Sequence, residues 1–358
     1  MRARDLGVVI GEHPPGPDNA ITDVAGVRVG HTTLQADGAS AVRTGVTVVV
    51  PHDDIWTEPV FAGSHRLNGS GEMTGLDWIR ESGELTTAIG LTNTHSVGVV
   101  RDELVAAQVR ARGEGLYWSL PVVGETYDGL LNDINGFHVR PDHVRAALDQ
   151  ATDAPPAEGN VGGGTGMICH GFKGGIGTAS RVTDTATGRY TVGVLVQANF
   201  GGARQLTIAG VPVGRELLGT RLAATTGSPG QPDRGSIIIV VATDAPVLPQ
   251  QLKRIARRAA LGVARTGGTA SNGSGDIFVA FSTANEGAAS ARPTAEVTLL
   301  SNSQISVLFQ ATVEATEEAI VNAMVAAETM VGRDGNRSEA LPHDQLQEVL
   351  RRYNRLEP

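Results

Sequence analysis

The chain has 358 residues with 41% hydrophobic content, a formal net charge of -9 and a single cysteine. Such a composition predicts a globular protein with a sizeable core in one or two domains, and it excludes an internal disulfide. An acidic chain without a long run of Lys and Arg is not expected to bind nucleic acid or an anionic membrane. The N-terminus lacks the apolar stretch of a signal peptide, so we expect a cytoplasmic protein with a small-molecule partner.

The first part of the chain is predicted to form mostly β-sheet. Strand-like runs occupy residues 26–30, 45–50 and 88–91, with Gly and Asp at the turns between them. A short helix is expected after Gly75. The polar segment 92–98 follows a strand and is able to line a pocket, although an ordinary polar loop is the simpler interpretation.

Residues 99–112 have the spacing of an amphipathic helix, with Val100 and Leu104 on one face and Glu103 pointing away from it. We expect this helix to cover the sheet. The apolar residues around Pro121 then predict a short strand.

Glu125 and Tyr127 lie on the predicted loop that leaves this strand. A carboxylate near a phenol can hold a substrate ammonium group while the phenol donates a hydrogen bond to an oxyanion. A polar turn before the next element, a helix over residues 143–151, is the alternative interpretation.

A glycine-rich segment, residues 159–167, is similar to a phosphate-binding loop but lacks the Gly-Lys-Ser/Thr ending and a clear preceding strand. We therefore expect a tight turn under a pocket and no nucleotide. No metal or other cofactor is predicted either. Cys169 and His170 have no further ligands at usable spacing, and the nine histidines include no His-x-x-x-His pair.

A buried strand over residues 191–199 ends at Asn199 and is followed by Gly201 and Gly202. The side-chain amide therefore lies near backbone N–H groups that no Cβ obstructs, and such a corner can stabilise an oxyanion. An asparagine that merely ends a strand at a turn is the competing interpretation.

Ser236 opens an apolar strand in which five consecutive β-branched residues indicate burial on both faces. Residues 225–234 before it are rich in Gly, Pro and small polar residues and predict an exposed, mobile loop. A flexible loop that delivers the Gly235-Ser236 bond to a rigid strand suits self-cleavage. The hydroxyl attacks the preceding carbonyl, and Ser236 becomes a new N-terminus. Taken alone, the dipeptide fits an ordinary joining loop better.

The rest of the chain is predicted to contain a helix over residues 249–265, whose Lys and Arg residues form a solvated face. Ser274 and Asp276 then stand at the entrance of a strand over residues 277–282. Their spacing places a hydroxyl and a carboxylate on one side of the chain, where they can orient a nucleophile or relay a proton. Ser-Gly-Asp is also a common turn sequence. A long helix is expected over residues 306–330.

Several motifs together resemble the DmpA-type family of self-processing L-aminopeptidase/D-esterases and β-aminopeptidases. Residues 235–238 (GSII) are similar to the family's processing site. The other matching motifs are residues 2–7 (RARDLG), 19–24 (NAITDV), 29–33 (VGHTT), 125–129 (ETYDG), 160–167 (NVGGGTGM) and 174–181 (GGIGTASR).

The resemblance implies an α+β fold, namely a four-layer αββα sandwich of the N-terminal-nucleophile-like kind. It implies a single domain, residues 1–358, that cleaves itself at Gly235-Ser236 into chains 1–235 and 236–358. These chains would stay associated, and four such pairs would form a homotetramer. The implied substrates are short peptides, aminoacyl amides or esters, and no cofactor is needed.

The resemblance also implies roles for individual residues. Ser236 matches the nucleophile, Tyr127 the active-site tyrosine and Asn199 the oxyanion amide. Ser274 matches a second active-site serine, and Asp276 matches an acidic position that is Glu in some members.

Glu125 matches a contact to the substrate ammonium group. In the implied mechanism the freed α-amine of Ser236 accepts the hydroxyl proton, while Ser274 and Asp276 orient the reacting groups or Ser274 shares the proton transfer. Two other classes stay open: an acyltransferase of related architecture, which passes the acyl group to an amine, and a non-catalytic small-molecule-binding protein. The preference among L-α, D-α and β-amino acids cannot be predicted from the sequence.

Overall fold

The computed structural model describes residues 1–38, 40–219, 235–290 and 292–356. The loop predicted over residues 225–234 lies outside them. The helices are α1 (Leu76–Ser82), α2 (Val97–Arg112), α3 (Pro141–Asp149), α4 (Val213–Gly219), α5 (Pro249–Arg265), α6 (Ser306–Val325) and α7 (His343–Arg352). The strands are β1 (Arg28–Ala36), β2 (Val42–Val50), β3 (Val60–Gly69), β4 (Glu84–Leu85), β5 (Ile89–Asn93), β6 (Val122–Thr126), β7 (Ile168–Cys169), β8 (Phe172–Lys173), β9 (Gly175–Thr185), β10 (Gly188–Asn199), β11 (Ser236–Thr243), β12 (Gly275–Ser282), β13 (Met330–Val331) and β14 (Arg337–Ser338).

The larger sheet has six strands in the order β4-β3-β12-β11-β10-β9. β11 and β12 are parallel and are connected through α5, whereas the other pairs are antiparallel. All eight residues of β11 are buried, which confirms the prediction of a strand enclosed on both faces. β11 and β12, which follow residue 235, therefore lie between β3 and β10, which precede it.

The smaller sheet has four strands in the order β1-β2-β5-β6. One apolar cluster joins it to the larger sheet, with Val49 and Leu91 from the smaller sheet and Ile238 and Val279 from the larger. A Cβ atom on Gly124 would lie only 3.0 Å from the side chain of Ile238. The two sheets thus pack face to face over an apolar interior.

Helices cover the outer face of each sheet. Leu252 of α5 and Ala319 of α6 share one apolar cluster with Ile239 and other residues of the larger sheet. Val100 of α2 and Val144 of α3 share another cluster with residues of the smaller sheet. The layers therefore follow the order α, β, β, α, and the expected α+β sandwich is confirmed.

A buried ion-pair network ties α6 to the sheet and to the N-terminus. Glu318 accepts hydrogen bonds from Arg181 of β9 at 2.6 Å and from Arg4 at 2.8 Å. Burial alone would raise the pKa of the Glu318 carboxyl, but the two guanidinium groups outweigh it and lower the pKa. The network links segments that are far apart in the sequence.

Two predictions about the helices were wrong. Glu103 was expected to point away from the buried face of α2, but it is buried because it accepts hydrogen bonds from Arg110 at 2.5 Å and from Arg145 of α3 at 3.2 Å. Helix α6 ends at Val325 and does not reach residue 330, because Met330–Val331 pairs with Arg337–Ser338. In the described ranges, no helix is long and apolar enough to cross a membrane.

Candidate active site

Three of the predicted site residues meet where three central strands of the larger sheet begin or end. Ser236, the first residue of β11, pairs with Asn199, the last residue of β10. β12 runs parallel to β11, and the two strands begin at the same end, so that Asp276 is paired with Ile237. All of these residues are buried. The sequence places each of them at a strand end, and the sheet topology brings them together.

The Ser236 hydroxyl is held by the strand next to it. Its Oγ accepts a hydrogen bond from the Gly275 N–H at 3.0 Å. On either side of Gly275, Ser274 Oγ donates to Asp276 Oδ1 at 2.7 Å. The hydroxyl and carboxylate that were predicted to lie together are therefore in direct contact, next to the serine that they were expected to assist.

The Asn199 amide has a fixed orientation. Its Oδ1 accepts a hydrogen bond from the Ile168 N–H at 2.8 Å, and its Nδ2 donates to the Tyr127 carbonyl at 3.0 Å. Since a carbonyl can only accept and a backbone N–H can only donate, these two contacts determine which amide atom is which. An amide nitrogen carries two N–H donors, and the Tyr127 carbonyl uses one of them.

Gly235 fits its position because it has no side chain. A Cβ atom there would lie 2.0 Å from the Asn199 carbonyl oxygen and 2.5 Å from Phe200 Cα. Both neighbours are backbone atoms, so neither can move aside cheaply. The residue before Ser236 must therefore be glycine if β11 is to pair with β10 in this register.

Tyr127 enters the site through its backbone. Its carbonyl holds Asn199, as described above, while its side chain is 47% exposed and packs over Gly129. The structure thus places Tyr127 beside the Asn199 amide, with its ring at the surface.

Glu125 lies within β6, not on the loop that follows it as predicted, and it is buried. Its carboxylate accepts hydrogen bonds from the Thr94 hydroxyl and, at 2.8 Å, from the Glu72 N–H. Burial raises the pKa of the carboxyl despite these two bonds. A Cβ atom on Gly71 would lie 3.2 Å from Glu125 Oε1 and 2.9 Å from Gly275 Cα. Gly71 therefore lies close both to Glu125 and to Gly275, the residue that holds Ser236.

The structure adds two buried side chains to which the sequence analysis assigned no role. Asp128, next to Tyr127, is buried and accepts a hydrogen bond from Asn132 at 3.1 Å. Burial raises its pKa to about 6, although hydrogen bonds oppose the shift. Lys173 is wholly buried beside the glycine-rich segment. The sequence around Asp128 and Lys173 does not predict their burial, because that burial depends on tertiary packing.

The glycine-rich segment forms the tight turn that was predicted. Gly162–Gly164 is a buried turn of 3-10 helix. A Cβ atom on Gly163 would lie 2.1 Å from Gln197 Oε1 and 2.7 Å from the Leu91 carbonyl oxygen, so the turn fits between the two sheets only without side chains. Among the described residues, no group of three His, Cys, Asp or Glu side chains is arranged to hold a metal ion.

Comparisons with known proteins identify the family. Residues 19–338 match the model of peptidase family S58. The beta-peptidyl aminopeptidase BapA of Sphingosinicella microcystinivorans is 51% identical over 99% of this chain and 93% of its own length.

Solved structures show the same similarity. A Burkholderia sp. β-aminopeptidase superposes with a TM-score of 0.92 at 52% identity and covers 100% of both chains. The L-aminopeptidase D-Ala-esterase/amidase of Ochrobactrum anthropi, a prototype for the serine aminopeptidases and a variant of the Ntn hydrolase fold, superposes with a TM-score of 0.91 at 45% identity and covers 99% of both chains. The chain therefore belongs to peptidase family S58, and it is a hydrolase of the aminopeptidase class.

Proposed function

We propose that this aminopeptidase cleaves its own chain at Gly235-Ser236 and then uses Ser236 as an N-terminal nucleophile. Its substrates would be short peptides, aminoacyl amides or esters, from which it releases the N-terminal amino acid. The observation that carries the proposal is the position of Ser236. It is buried at the start of a core strand, its Oγ is held by the Gly275 N–H, and it pairs with Asn199.

Self-cleavage would proceed by an acyl shift. Ser236 Oγ attacks the Gly235 carbonyl carbon, the peptide C–N bond breaks, and the nitrogen takes up the Oγ proton and leaves as the α-amine of Ser236. Water then hydrolyses the resulting ester, which leaves a carboxylate on Gly235 and restores the hydroxyl. The packing of Gly235 against the backbone of Asn199 supports this step, because it brings the scissile bond next to the residue whose side-chain amide would stabilise the oxyanion.

Turnover of substrate would repeat this chemistry on an external carbonyl. A free α-amine has a pKa of about 7.7 to 8.0, so a useful neutral fraction exists near neutral pH and can accept the Oγ proton. The amine then passes the proton to the leaving amine, and water releases the acyl group. Asn199 Nδ2–H would stabilise the oxyanion, and the Ser274–Asp276 pair would orient the reacting groups.

Glu125 would bind the substrate ammonium group. The carboxylate is buried, and both it and Gly275 lie close to Gly71, which puts it near the residue that holds Ser236. A charged hydrogen bond shielded from water is worth more than an exposed ion pair. This contact would select substrates with a free N-terminus.

Intact-mass measurement tests the proposal. Purified wild type should give fragments 1–235 and 236–358 that co-elute under native conditions. Ser236→Ala should remain one chain and be inactive, whereas Ser236→Cys is expected to cleave, because a thiol can make the same acyl shift. Ser282→Ala removes a buried hydroxyl from the other end of β12 and serves as the matched control.

Two results would overturn this mechanism: a folded Ser236→Ala that still cleaves at Gly235, or an uncleaved wild type that is fully active on aminoacyl amides. Product analysis with and without an added amino acid acceptor separates hydrolysis from acyl transfer. A chain that stays intact and turns over no aminoacyl amide would favour a binding protein.

The same proposal includes a homotetramer of cleaved pairs. Exposed apolar side chains, among them Leu116, Trp118, Val297 and Leu299, are the kind of surface that subunit contacts cover. A native mass four times that of the 37.2 kDa chain is expected, and a monomer in native mass spectrometry would contradict it.

A further inference from the structure

Lys173 has an unusual environment for a lysine. Its side chain is wholly buried, and its Nζ donates to the carbonyl oxygens of Met167 at 2.8 Å, Gly174 at 2.9 Å and Gly164 at 3.3 Å. In the part of the chain that the structure describes, no ion pair involves it. Three acceptors match the three N–H donors that an ammonium group carries. Taking a lysine side chain out of water is costly, and its complete burial therefore calls for a reason beyond packing.

One of these carbonyls leads directly to the active site. The peptide group between Met167 and Ile168 accepts the Lys173 hydrogen bond at its C=O and donates its N–H to Asn199 Oδ1 at 2.8 Å. A peptide group is planar, with its C=O and N–H on opposite sides. Fixing the carbonyl therefore fixes the direction of the N–H. Hydrogen bonds in such a chain also polarise and strengthen one another.

The other two carbonyls close the loop that contains this peptide. Gly164 ends the buried 3-10 turn, and Gly174 follows Lys173 itself. The Gly174 N–H also donates to the Met167 carbonyl, at 2.9 Å. Lys173 Nζ therefore contacts both ends of the loop, at Gly164 and Gly174, and also the Met167–Ile168 peptide, which contacts Asn199.

We propose that Lys173 is a positioning residue for the oxyanion amide. Its Nζ group holds the Met167–Ile168 peptide, this peptide holds Asn199 Oδ1, and the orientation of the amide aims its Nδ2–H at the carbonyl oxygen that Ser236 attacks. The inference rests on the proposed function, because it assigns Asn199 to the oxyanion.

A double-mutant cycle tests this assignment. The chain has two lysines, so Lys253→Met, on the exposed face of α5, is a matched control for Lys173→Met. Removing one oxyanion donor typically lowers kcat about 100-fold to 1000-fold, and a donor that is present but badly aimed should cost about 10-fold to 100-fold. We expect Lys173→Met to lower kcat by that amount on an aminoacyl p-nitroanilide, with KM within about twofold of wild type. Lys253→Met should match wild type.

The decisive comparison uses Asn199→Ala as the second background. If Lys173 acts through Asn199, adding Lys173→Met to Asn199→Ala should change kcat by less than about twofold, because the shared contact is already lost. The inference would be overturned if the double variant lost kcat by the product of the two single losses, or if Lys173→Met alone had the kcat of wild type. If Lys173→Met only loosened the packing, its loss of kcat would be independent of Asn199 and would multiply in this way. The cycle therefore separates a positioning role from a structural one.

Two further measurements keep the test decisive. Should Lys173→Met not fold, the same cycle is run with Lys173→Gln, which retains two N–H donors and should show a smaller loss of kcat. Rates are expressed per folded chain, and intact mass gives the cleaved fraction of each variant. If wild type is active but uncleaved, self-processing fails as a proposal, while the cycle still decides the role of Lys173.

Discussion

Replacing Asp128 by Asn should change how the stability of the protein depends on pH. Asp128 is buried beside the site, where Asn132 donates to it at 3.1 Å. Its pKa rises from 3.8 to about 6, chiefly because burial disfavours the charged form. Asn has nearly the same shape and cannot ionise. The variant should therefore lack whatever pH dependence this one carboxyl causes.

The sign and size follow from the two pKa values. Between about pH 3.8 and pH 6 the folded protein keeps the proton on Asp128 that the unfolded chain has lost, so this group's stabilising contribution is present below that window and disappears as the pH rises through it. A shift of about 2 pKa units corresponds to about 3 kcal/mol, of which about 2 kcal/mol falls between about pH 4.5 and pH 7.5.

Urea unfolding of wild type and Asp128→Asn across this pH range measures the effect. Contributions of all other groups cancel in the difference between the two free energies of unfolding. As the pH rises, the variant should gain about 2 kcal/mol of stability relative to wild type. Asp149→Asn, at an exposed position at the end of α3, controls for the loss of one negative charge. A wild-type-minus-variant difference that stays constant with pH would refute the reasoning.

Two other outcomes are expected. Glu125→Gln should raise KM for substrates with a free amine by about 10-fold to 100-fold, from the 1.5 to 3 kcal/mol of a charged hydrogen bond, and should slow self-cleavage less; an unchanged KM excludes Glu125 as the ammonium contact. Burial lowers the pKa of Lys173 to about 7, so in protein labelled with 13C at lysine Cε one of the two signals should titrate near neutral pH and persist in Lys253→Met. A Lys173 signal that does not change between about pH 6 and pH 9 would contradict this prediction.

Much of the site could be predicted because its residues stand at strand ends. The apolar run after Ser236, the polar end of the strand at Asn199 and the i, i+2 spacing of Ser274 and Asp276 are all local signals, and the structure shows each element where the pattern places it. These strand ends lie next to one another because of the strand order in the sheet, which the pattern of a single strand does not determine. The resemblance to a known family supplied this information instead.

The residues that were missed owe their position to packing from distant segments. Glu103 is buried because Arg145 reaches it from another helix, and Lys173 is buried because three backbone carbonyls surround it. A lysine in a glycine-rich stretch gives the same local signal whether it is exposed or enclosed. Glu125 follows an apolar pair at the end of a strand, and only pairing with β5 shows that the strand continues through it.

Because β11 and β12 lie between β3 and β10, a cut after Gly235 would leave two polypeptides that share one sheet, with both strands of the shorter one enclosed by strands of the longer one. The intact chain refolds as one molecule, whereas the cut protein would need two molecules to meet, so its unfolding midpoint would depend on concentration. The shorter piece alone would expose both edges of an apolar strand pair, which favours aggregation over reassembly. The lifetime of the mature enzyme would then be set by how slowly it opens, and no longer by an equilibrium between folded and unfolded states.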